Sequence, residues 1–405
     1  MAEDLASLCA DLASGCRNLR VDSRLVEAGD IFVALPGNTV DGAQFIAEAA
    51  DRGAFAIVCS RDRAAQARAA APRCVVAPVA QPAAALGQLA GAAYHTPDHD
   101  MRLIGITGTN GKTTCAWLLD YLFSALGHRC GVLGTIDYRW PGHRQSASLT
   151  TPGCLDLHAM LANMRSAGAD MAIMEVSSHA LALGRVAGLS FSGAIFTNLT
   201  QDHLDFHPDM EAYFRAKAEL FLNLPLAAKA AAINGDDAYG QRLLALLPDA
   251  ISYGLAQAEA GRRHLAGTIL TLAPEGMRLR MSYGGADWEL ATQLVGAFNA
   301  YNLLAVQALA LGLGASPEDL AALSGFTGVP GRLERVAAAS GKHVFVDYAH
   351  TPDALVNALR ALRGAGFGRI ITVFGCGGNR DRSKRPLMGR AVAENSDLAI
   401  LTSDN

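Results

Sequence analysis

The chain is poor in charge. Only 18% of its 405 residues are Asp, Glu, Lys or Arg, and the net charge is −4. It has no basic field to hold nucleic acid or an anionic membrane, so neither is expected as a partner. No uninterrupted apolar run reaches the ~18 residues that mark a transmembrane helix. The opening stretch, MAEDLASLCADLASGC, carries acids and has no long apolar centre, so it is not expected to be a signal peptide. The 8 cysteines are scattered and form no Cys-x-x-Cys. Most read as small core residues of a reducing cytoplasm, the expected location. What the chain does have is apolar content, 51%, swollen by Ala and Gly, and a length that predicts two or three domains.

One absence is local. A strict Walker A loop begins with a further glycine at the position that Ile106 occupies here. What stands instead is a shorter Gly-x-x-Gly-Lys-Thr. The apolar run Leu103-Ile104-Gly105-Ile106-Thr107 leads into Gly108-Thr109-Asn110-Gly111, and Lys112-Thr113-Thr114 opens an apolar-periodic helix that stops at Gly127. Strand, glycine loop and helix start make a phosphate cradle. The N–H groups of the loop and first turn converge on one spot, and glycine lets the backbone approach an anion. Lys112 is placed to reach the β- and γ-phosphates, and the Thr113 hydroxyl to bind Mg2+. The ordinary alternative, a glycine-rich β–α turn, leaves Lys-Thr-Thr at the helix start unexplained. ATP and Mg2+ are the expected cofactors, with Gly108, Thr109, Asn110, Gly111, Lys112, Thr113 and Thr114 on the nucleotide.

Residues 1–97 read as a small mixed domain of strands and helices that alone names no chemistry. Residues 98–330 form the central domain. Its strand Ala172-Ile173-Met174 delivers Glu175 to a C-terminal edge, the usual place of a Mg2+ ligand beside a phosphate loop; a capping or ion-paired Glu is the alternative. A second strand runs into Asp202-His203-Leu204-Asp205-Phe206-His207, which alone reads as a zinc site or a capped loop. Lys217, on a helix from Asp209 to Leu222, looks like an ordinary helical lysine. Residues 250–293 alternate and predict an antiparallel hairpin region. Asn299 and Asn302 share one face of a long apolar helix.

The Pro/Gly-rich segment 328–334 reads as a hinge and a domain boundary. From 331 to 405, three strands (Val344 to Asp347, Arg369 to Phe374, Leu398 to Thr402) alternate with helices and predict one doubly wound parallel sheet. Polar segments after those strands place Asp347, His350, Arg380, Asp404 and Asn405 at the edge where such sheets bind ligands. The expected fold class is α/β, with a central P-loop-type parallel sheet and a Rossmann-like C-terminal domain. That domain stops unfinished at Asn405, so a C-terminally truncated chain is expected.

Gly108-Thr109-Asn110-Gly111-Lys112-Thr113-Thr114 resembles the ATP loop of the Mur ligases and of their folylpolyglutamate synthase relatives. Ordered motifs along nearly the whole chain repeat the likeness: Val21-Asp22-Ser23-Arg24, Thr150-Thr151-Pro152, Glu175-Val176-Ser177, Asp202-His203-Leu204-Asp205, Ala216-Lys217 and Asp404-Asn405. The resemblance implies three domains and ATP-dependent ligation of an amino acid to a UDP-muramyl peptide in peptidoglycan synthesis. A carboxylate attacks the γ-phosphate, the acyl phosphate takes the incoming amine, and phosphate leaves. Val21, Ser23, Asn38, Thr39 and Val40 are then expected on the UDP-sugar, and Thr150, Thr151, Ser177 and Arg185 on the muramyl-peptide. Asn299 and Asn302 fall near the adenine, with Arg332, Asp347 and His350 completing the ATP contacts.

His203 becomes a ligand of a second Mg2+, a role its chemical type would not suggest. Lys217 becomes a carbamate, which turns a cation into an anionic oxygen ligand. Lys112, His203 and Lys217 are the expected catalytic residues, and Thr113, Glu175, His203 and Lys217 the metal ligands. Leu183 stands where the family commonly has Gln, so one polar contact is expected to be absent. Arg380, Asp404 and Asn405 are expected on the incoming amino acid. Asp404-Asn405 matches the start of the Asp-Asn-Pro-Arg motif of members that add meso-diaminopimelate, whose arginine pairs the second carboxylate. An L-lysine-adding homologue, a folylpolyglutamate synthase and a truncated nucleotide or UDP-sugar binder are the alternatives. The N-terminal domain weighs against the synthase, which begins near the loop. A monomer acting on small molecules is expected.

Overall fold

The computed structural model describes residues 5–37, 40–95, 101–223, 230–256, 263–336, 342–376 and 384–403. The chain divides into two compact units interleaved in sequence. One comprises Met1–Thr107, Gly127–Ala194 and Gln201–Ala228; the other comprises Gly108–Leu126, Ile195–Thr200 and Lys229–Asn405.

The first unit begins with a four-stranded parallel sheet whose strands, Leu19–Arg20, Ile31–Val33, Ala56–Ser60 and Val75–Val79, lie in sequence order. Both faces are covered, which is why the two middle strands are apolar apart from the terminal Ser60. Alternation divides them: Ile31, Val33, Ala56 and Val58 pack with Leu8, Leu86 and Leu89, whereas Phe32, Ile57 and Cys59 pack with Ile46, Ala49 and Ala67. Pro82 opens the helix Pro82–Tyr94, where a missing N–H costs nothing, and His95 closes it in the left-handed conformation (φ +56°).

The 2% exposed Asp30 ties the start of this sheet together. Its carboxylate accepts from Arg20 Nε (2.8 Å), the Glu27 amide (3.0 Å) and Asn18 Nδ2 (3.2 Å). Burial pushes its pKa up, but those donors outweigh burial and hold it below the ordinary value. The carboxylate's stabilisation is therefore complete above the unfolded-state pKa of about 4 and is lost as pH falls through the lower folded value. Asp30→Asn is expected to cost about 1–3 kcal/mol at pH 7, with the gap to the parent closing below about pH 4. Denaturant midpoints measured from pH 3 to 7 check both the size and the sign.

The same unit carries the parallel strands Arg102–Thr107, Met171–Glu175 and Cys130–Leu133, in that spatial order, followed by the antiparallel hairpin Asp137–Trp140 and His143–Ser146. The first three are buried along nearly their whole length.

In the second unit, strands Ala231–Asn234, Ile251–Gly254 and His264–Ala273 pair in parallel; Gly276–Tyr283 and Ala286–Thr292 extend them as the expected antiparallel meander. Helix Ala297–Gly312 packs on this sheet and on the phosphate-loop helix Lys112–Ala125. Contacts on both sides leave its central turns buried all round, as their apolar sequence requires.

The C-terminal segment corrects one expectation. Val344–Val346 does not join a three-stranded parallel sheet: it pairs antiparallel with Glu334–Val336, and the parallel pair is Ile371–Phe374 with Leu398–Leu401. The Pro/Gly-rich segment turns, with the Arg332 amide on Val329 O, and feeds the strand Glu334–Val336 directly, so a local partner was at hand. Helices Pro352–Gly364 and Lys384–Asn395 bring Leu355, Leu359, Met388 and Val392 into one small core with Ile370.

Candidate active site

The phosphate loop is built in the second unit. Gly108 and Gly111 have φ of +141° and +88°. A Cβ on Gly108 would lie 1.9 Å from Thr197 Oγ1, and one on Gly111 would lie 2.4 Å from Asn302 Oδ1. Both positions therefore demand glycine, by conformation and by space. The segment after the strand Gly193–Phe196 acts as a template for the loop. Thr197 Oγ1 donates to Asn110 O (2.6 Å), and the Asn110 amide donates to Asn198 Oδ1 (3.0 Å). The Thr109 amide donates to Asn198 O (2.8 Å), while Thr109 Oγ1 and the Thr200 backbone exchange bonds of 3.2 and 3.1 Å.

Helix Lys112–Ala125 starts at Gly111 without a side-chain cap. Its first N–H groups suit an anion. Lys112 Nζ donates to Gly108 O and Thr109 O, both at 2.9 Å, so the ammonium is held at the loop. Thr113 and Thr114 are buried. Asn299 and Asn302 do share a face, and Asn302 Nδ2 donates to Asn299 Oδ1 at 2.9 Å. Neither caps the helix, whose N-cap is Gly296. Asn302 is a packing partner of the loop through Gly111.

The muramyl-peptide candidates and Glu175 lie together in the first unit. Glu175 is 1% exposed. Its carboxylate accepts from the Thr135 amide (2.9 Å) and the Thr135 hydroxyl (3.0 Å). Thr151 Oγ1 donates to Glu175 O (2.8 Å) and accepts from the Ser177 amide (3.1 Å). Arg185 donates to Thr151 O at 3.0 Å, and Ser177 caps the helix Ser178–Ala182. Thr150 and Thr151 do not cap the next helix, whose N-cap is Gly153. Leu183 is exposed.

Near these lies a ring cluster. His179 stacks at 4.0 Å on Phe206 and stands 4.9 Å from His203 and 5.8 Å from His207, between ring centroids. Tyr213 faces both His203 and His207. His203 has φ +53°, a strained value for a residue with a side chain, and its ring is exposed. Burial and the neighbouring His203 hold His179 and His207 below the ordinary imidazole pKa.

Lys217 is not the solvated lysine its spacing suggests. It is 1% exposed, on the helix Met210–Leu222, with Nζ 4.6 Å from the Tyr213 ring centre. Burying a full ammonium without compensating partners is costly.

Arg332, Asp347 and His350 come together around Tyr348 in the second unit. Arg332 lies over its ring, His350 Nδ1 bonds its carbonyl (3.0 Å), and Asp347 accepts from the Leu333 and Ala349 amides, both at 2.8 Å. Ser23 is buried and donates to Glu48 (2.7 Å), while Val21 and Val40 are exposed. A cavity of about 1260 Å³ in the first unit is lined by Asp41, Arg63, Gln81, Leu181 and His207, among others; Val21, Ser23 and Val40 do not line it. Asn38, Thr39, Arg380, Asp404 and Asn405 lie outside the described residues.

The donors fit Mg2+ by type. Among the described residues no group of three or more His, Cys, Asp or Glu is arranged to hold a metal, which leaves the zinc alternative at 202–207 without support. Mg2+ asks less of the protein, one or two oxygens beside nucleotide phosphates. The Thr113 hydroxyl of the second unit and, separately, the buried Glu175 carboxylate of the first are each an oxygen donor of that type. Sequence reading passed over Thr135, Thr197 and Asn198 as site residues; Thr197 and Asn198, just after the strand Gly193–Phe196, carried a positional signal.

A parallel α/β sheet with a glycine-demanding phosphate loop defines a nucleotide-handling protein of the P-loop type. The chain matches three models: "Mur ligase family, catalytic domain" over residues 16–94, "Mur ligase middle domain" over 106–310 and "Mur ligase, glutamate ligase domain" over 331–405. It is 55% identical over 386 residues to the UDP-N-acetylmuramoyl-L-alanyl-D-glutamate--2,6-diaminopimelate ligase of Lawsonia intracellularis, covering 95% of this chain and 79% of that one. The ligase of the same name from Synechococcus elongatus is 46% identical, covering 96% and 78%. A solved structure of a ligase of that name superposes with a TM-score of 0.74 at 31% identity, covering 96% of this chain and 78% of that one. A folylpolyglutamate synthase from Mycobacterium tuberculosis shares the fold, with a TM-score of 0.61 at 21% identity and 79% coverage of each chain. The chain belongs to the Mur ligase family.

Proposed function

We propose that this chain is an ATP-dependent ligase that adds meso-2,6-diaminopimelate to UDP-N-acetylmuramoyl-L-alanyl-D-glutamate in peptidoglycan synthesis. The observation that carries the proposal is the 55% identity to a relative named for that reaction. In this reading residues 1–97 hold the UDP-sugar, 98–330 the nucleotide, and 331–405 the incoming amino acid. The protein acts as a cytoplasmic monomer; no described helix is long and apolar enough to cross a membrane.

The D-glutamate carboxylate attacks the γ-phosphate, ADP leaves, and the amine of the amino acid displaces phosphate from the acyl phosphate. Positioning and charge neutralisation are the protein's part. The Gly108–Thr114 backbone cradles the phosphates and Lys112 meets their charge. Asn299, Asn302, Arg332, Asp347 and His350 complete the nucleotide contacts. Val21, Ser23 and Asn38–Val40 take the UDP-sugar. Thr150, Thr151, Ser177 and Arg185 orient the muramyl-peptide. Thr113, Glu175, His203 and carbamylated Lys217 would hold Mg2+, which when bound would supply charge neutralisation on the phosphates. Arg380, Asp404 and Asn405 hold the amino acid.

Ligation assays with the UDP-dipeptide, ATP and either amino acid test the assignment. We expect kcat/KM for meso-diaminopimelate to exceed that for L-lysine by roughly 100-fold or more, because Arg380, read here as a contact of the amino acid, would lose its carboxylate partner with lysine. A preference for L-lysine overturns the amino-acid assignment. Absence of phosphate release with every diamino acid overturns the ligase.

A further inference from the structure

Thr135 lies just beyond the strand Cys130–Leu133 and gives both of its donors to one buried carboxylate. Gly134 makes room for this, since a Cβ there would meet Glu175 Oε1 at 2.4 Å. Thr135 Oγ1 also lies 3.2 Å from Thr150 Oγ1. The direction of that bond follows from proton count. An ionised carboxylate only accepts, and a hydroxyl has a single proton. With its proton on Glu175, Thr135 can only accept from Thr150. Thr150 has then used its own proton, and its hydroxyl can offer nothing but lone pairs to a ligand.

We propose that Thr135 is a positioning residue that fixes Glu175 in one orientation for the divalent cation and makes Thr150 a pure hydrogen-bond acceptor for an N–H or O–H of the muramyl-peptide. The proposal rests on the reading of Glu175 as a cation ligand and of Thr150 as a substrate contact. Its chain runs from substrate donor to Thr150, Thr135 and Glu175, with each hydroxyl donating towards the carboxylate. Thr151 ties the same strand end from the other side by donating to Glu175 O.

The test is direct binding. Mn2+ affinity is read by paramagnetic resonance with a non-hydrolysable ATP analogue present, and UDP-dipeptide affinity by calorimetry, on the parent and on Thr135→Val, Thr135→Ser and Glu175→Gln. We expect Thr135→Val to weaken Mn2+ roughly 10- to 100-fold, the scale found when a partner that orients a metal ligand is removed. It should also weaken the UDP-dipeptide several-fold, and Thr135→Ser should restore both. A merely structural Thr135 would lower the melting midpoint of the Val variant without moving Mn2+ affinity below that midpoint. Unchanged Mn2+ affinity in Thr135→Val, with Glu175→Gln weakened, overturns the role of Thr135 alone. Unchanged affinity in Glu175→Gln overturns the ligand reading and this proposal with it. If the Val variant does not fold, Thr135→Ala, which loses the same hydroxyl, carries the same comparison.

Discussion

Lys217→Ala is expected to lower tripeptide formation on the order of 10³-fold, the scale of losing several kcal/mol of charge stabilisation at a metal. Added formate or acetate should restore part of it. The basis is the burial of this side chain. At 1% exposure, with its nitrogen against the Tyr213 ring, Lys217 cannot be the solvated charge that helical lysines usually are. A bare ammonium would repel a second cation. In carbamate formation the neutral amine attacks CO2, a proton leaves, and the nitrogen carries a carboxylate, a hard oxygen ligand. A short carboxylate can enter the cavity left by Ala and supply those oxygens, whereas a lysine that only packs would not be replaceable in this way. The adduct is labile, so electron density of crystals with Mg2+ and ATP is the better direct view. Full activity in Lys217→Ala, or an unmodified amine there in crystals of active protein, would sink the assignment.

Legibility of the site in the sequence depended on how local its chemistry is. The phosphate loop could be read because a cradle of backbone amides has to be contiguous, and Gly108 and Gly111 are glycines for reasons that hold before any tertiary contact forms. Their second reason, the approach of Thr197 and Asn302, comes from distant parts of the chain. Lys217 was legible only by resemblance, since helical spacing gives a lysine no sign that both of its flanks will be covered. Thr135 carried no signal, because its partner Glu175 is 40 residues away and meets it only when Met171–Glu175 pairs with Cys130–Leu133. The C-terminal strands were found, and two of them, Ile371–Phe374 and Leu398–Leu401, pair in parallel as expected; the partner of Val344–Val346 was not found. Val344–Val346 is apolar throughout and suits either sheet, and it pairs with the strand Glu334–Val336 that the turn at 329–332 delivers beside it.

Lys112→Ala is expected to cost roughly 10²-fold or more in kcat, the scale of removing one preorganised electrostatic stabiliser. The ammonium is held by Gly108 O and Thr109 O at 2.9 Å each, which keeps it at the loop rather than in solvent. A charge fixed in this way costs no reorganisation when negative charge moves onto the phosphoryl oxygens. Its loss should therefore appear mainly in kcat, with a smaller rise in the dissociation constant for ATP, because the backbone amides and the helix start still bind the ground-state phosphates. Lys112→Arg should not restore the rate: a planar fork cannot place one compact charge between the same two carbonyls. Thr197 and Asn198 continue to template the loop through Asn110, so both variants should fold and bind ADP. Turnover within a few-fold of the parent in Lys112→Ala would remove the residue from the mechanism. A loss confined to ATP affinity, with kcat unchanged, would make it a binding residue only.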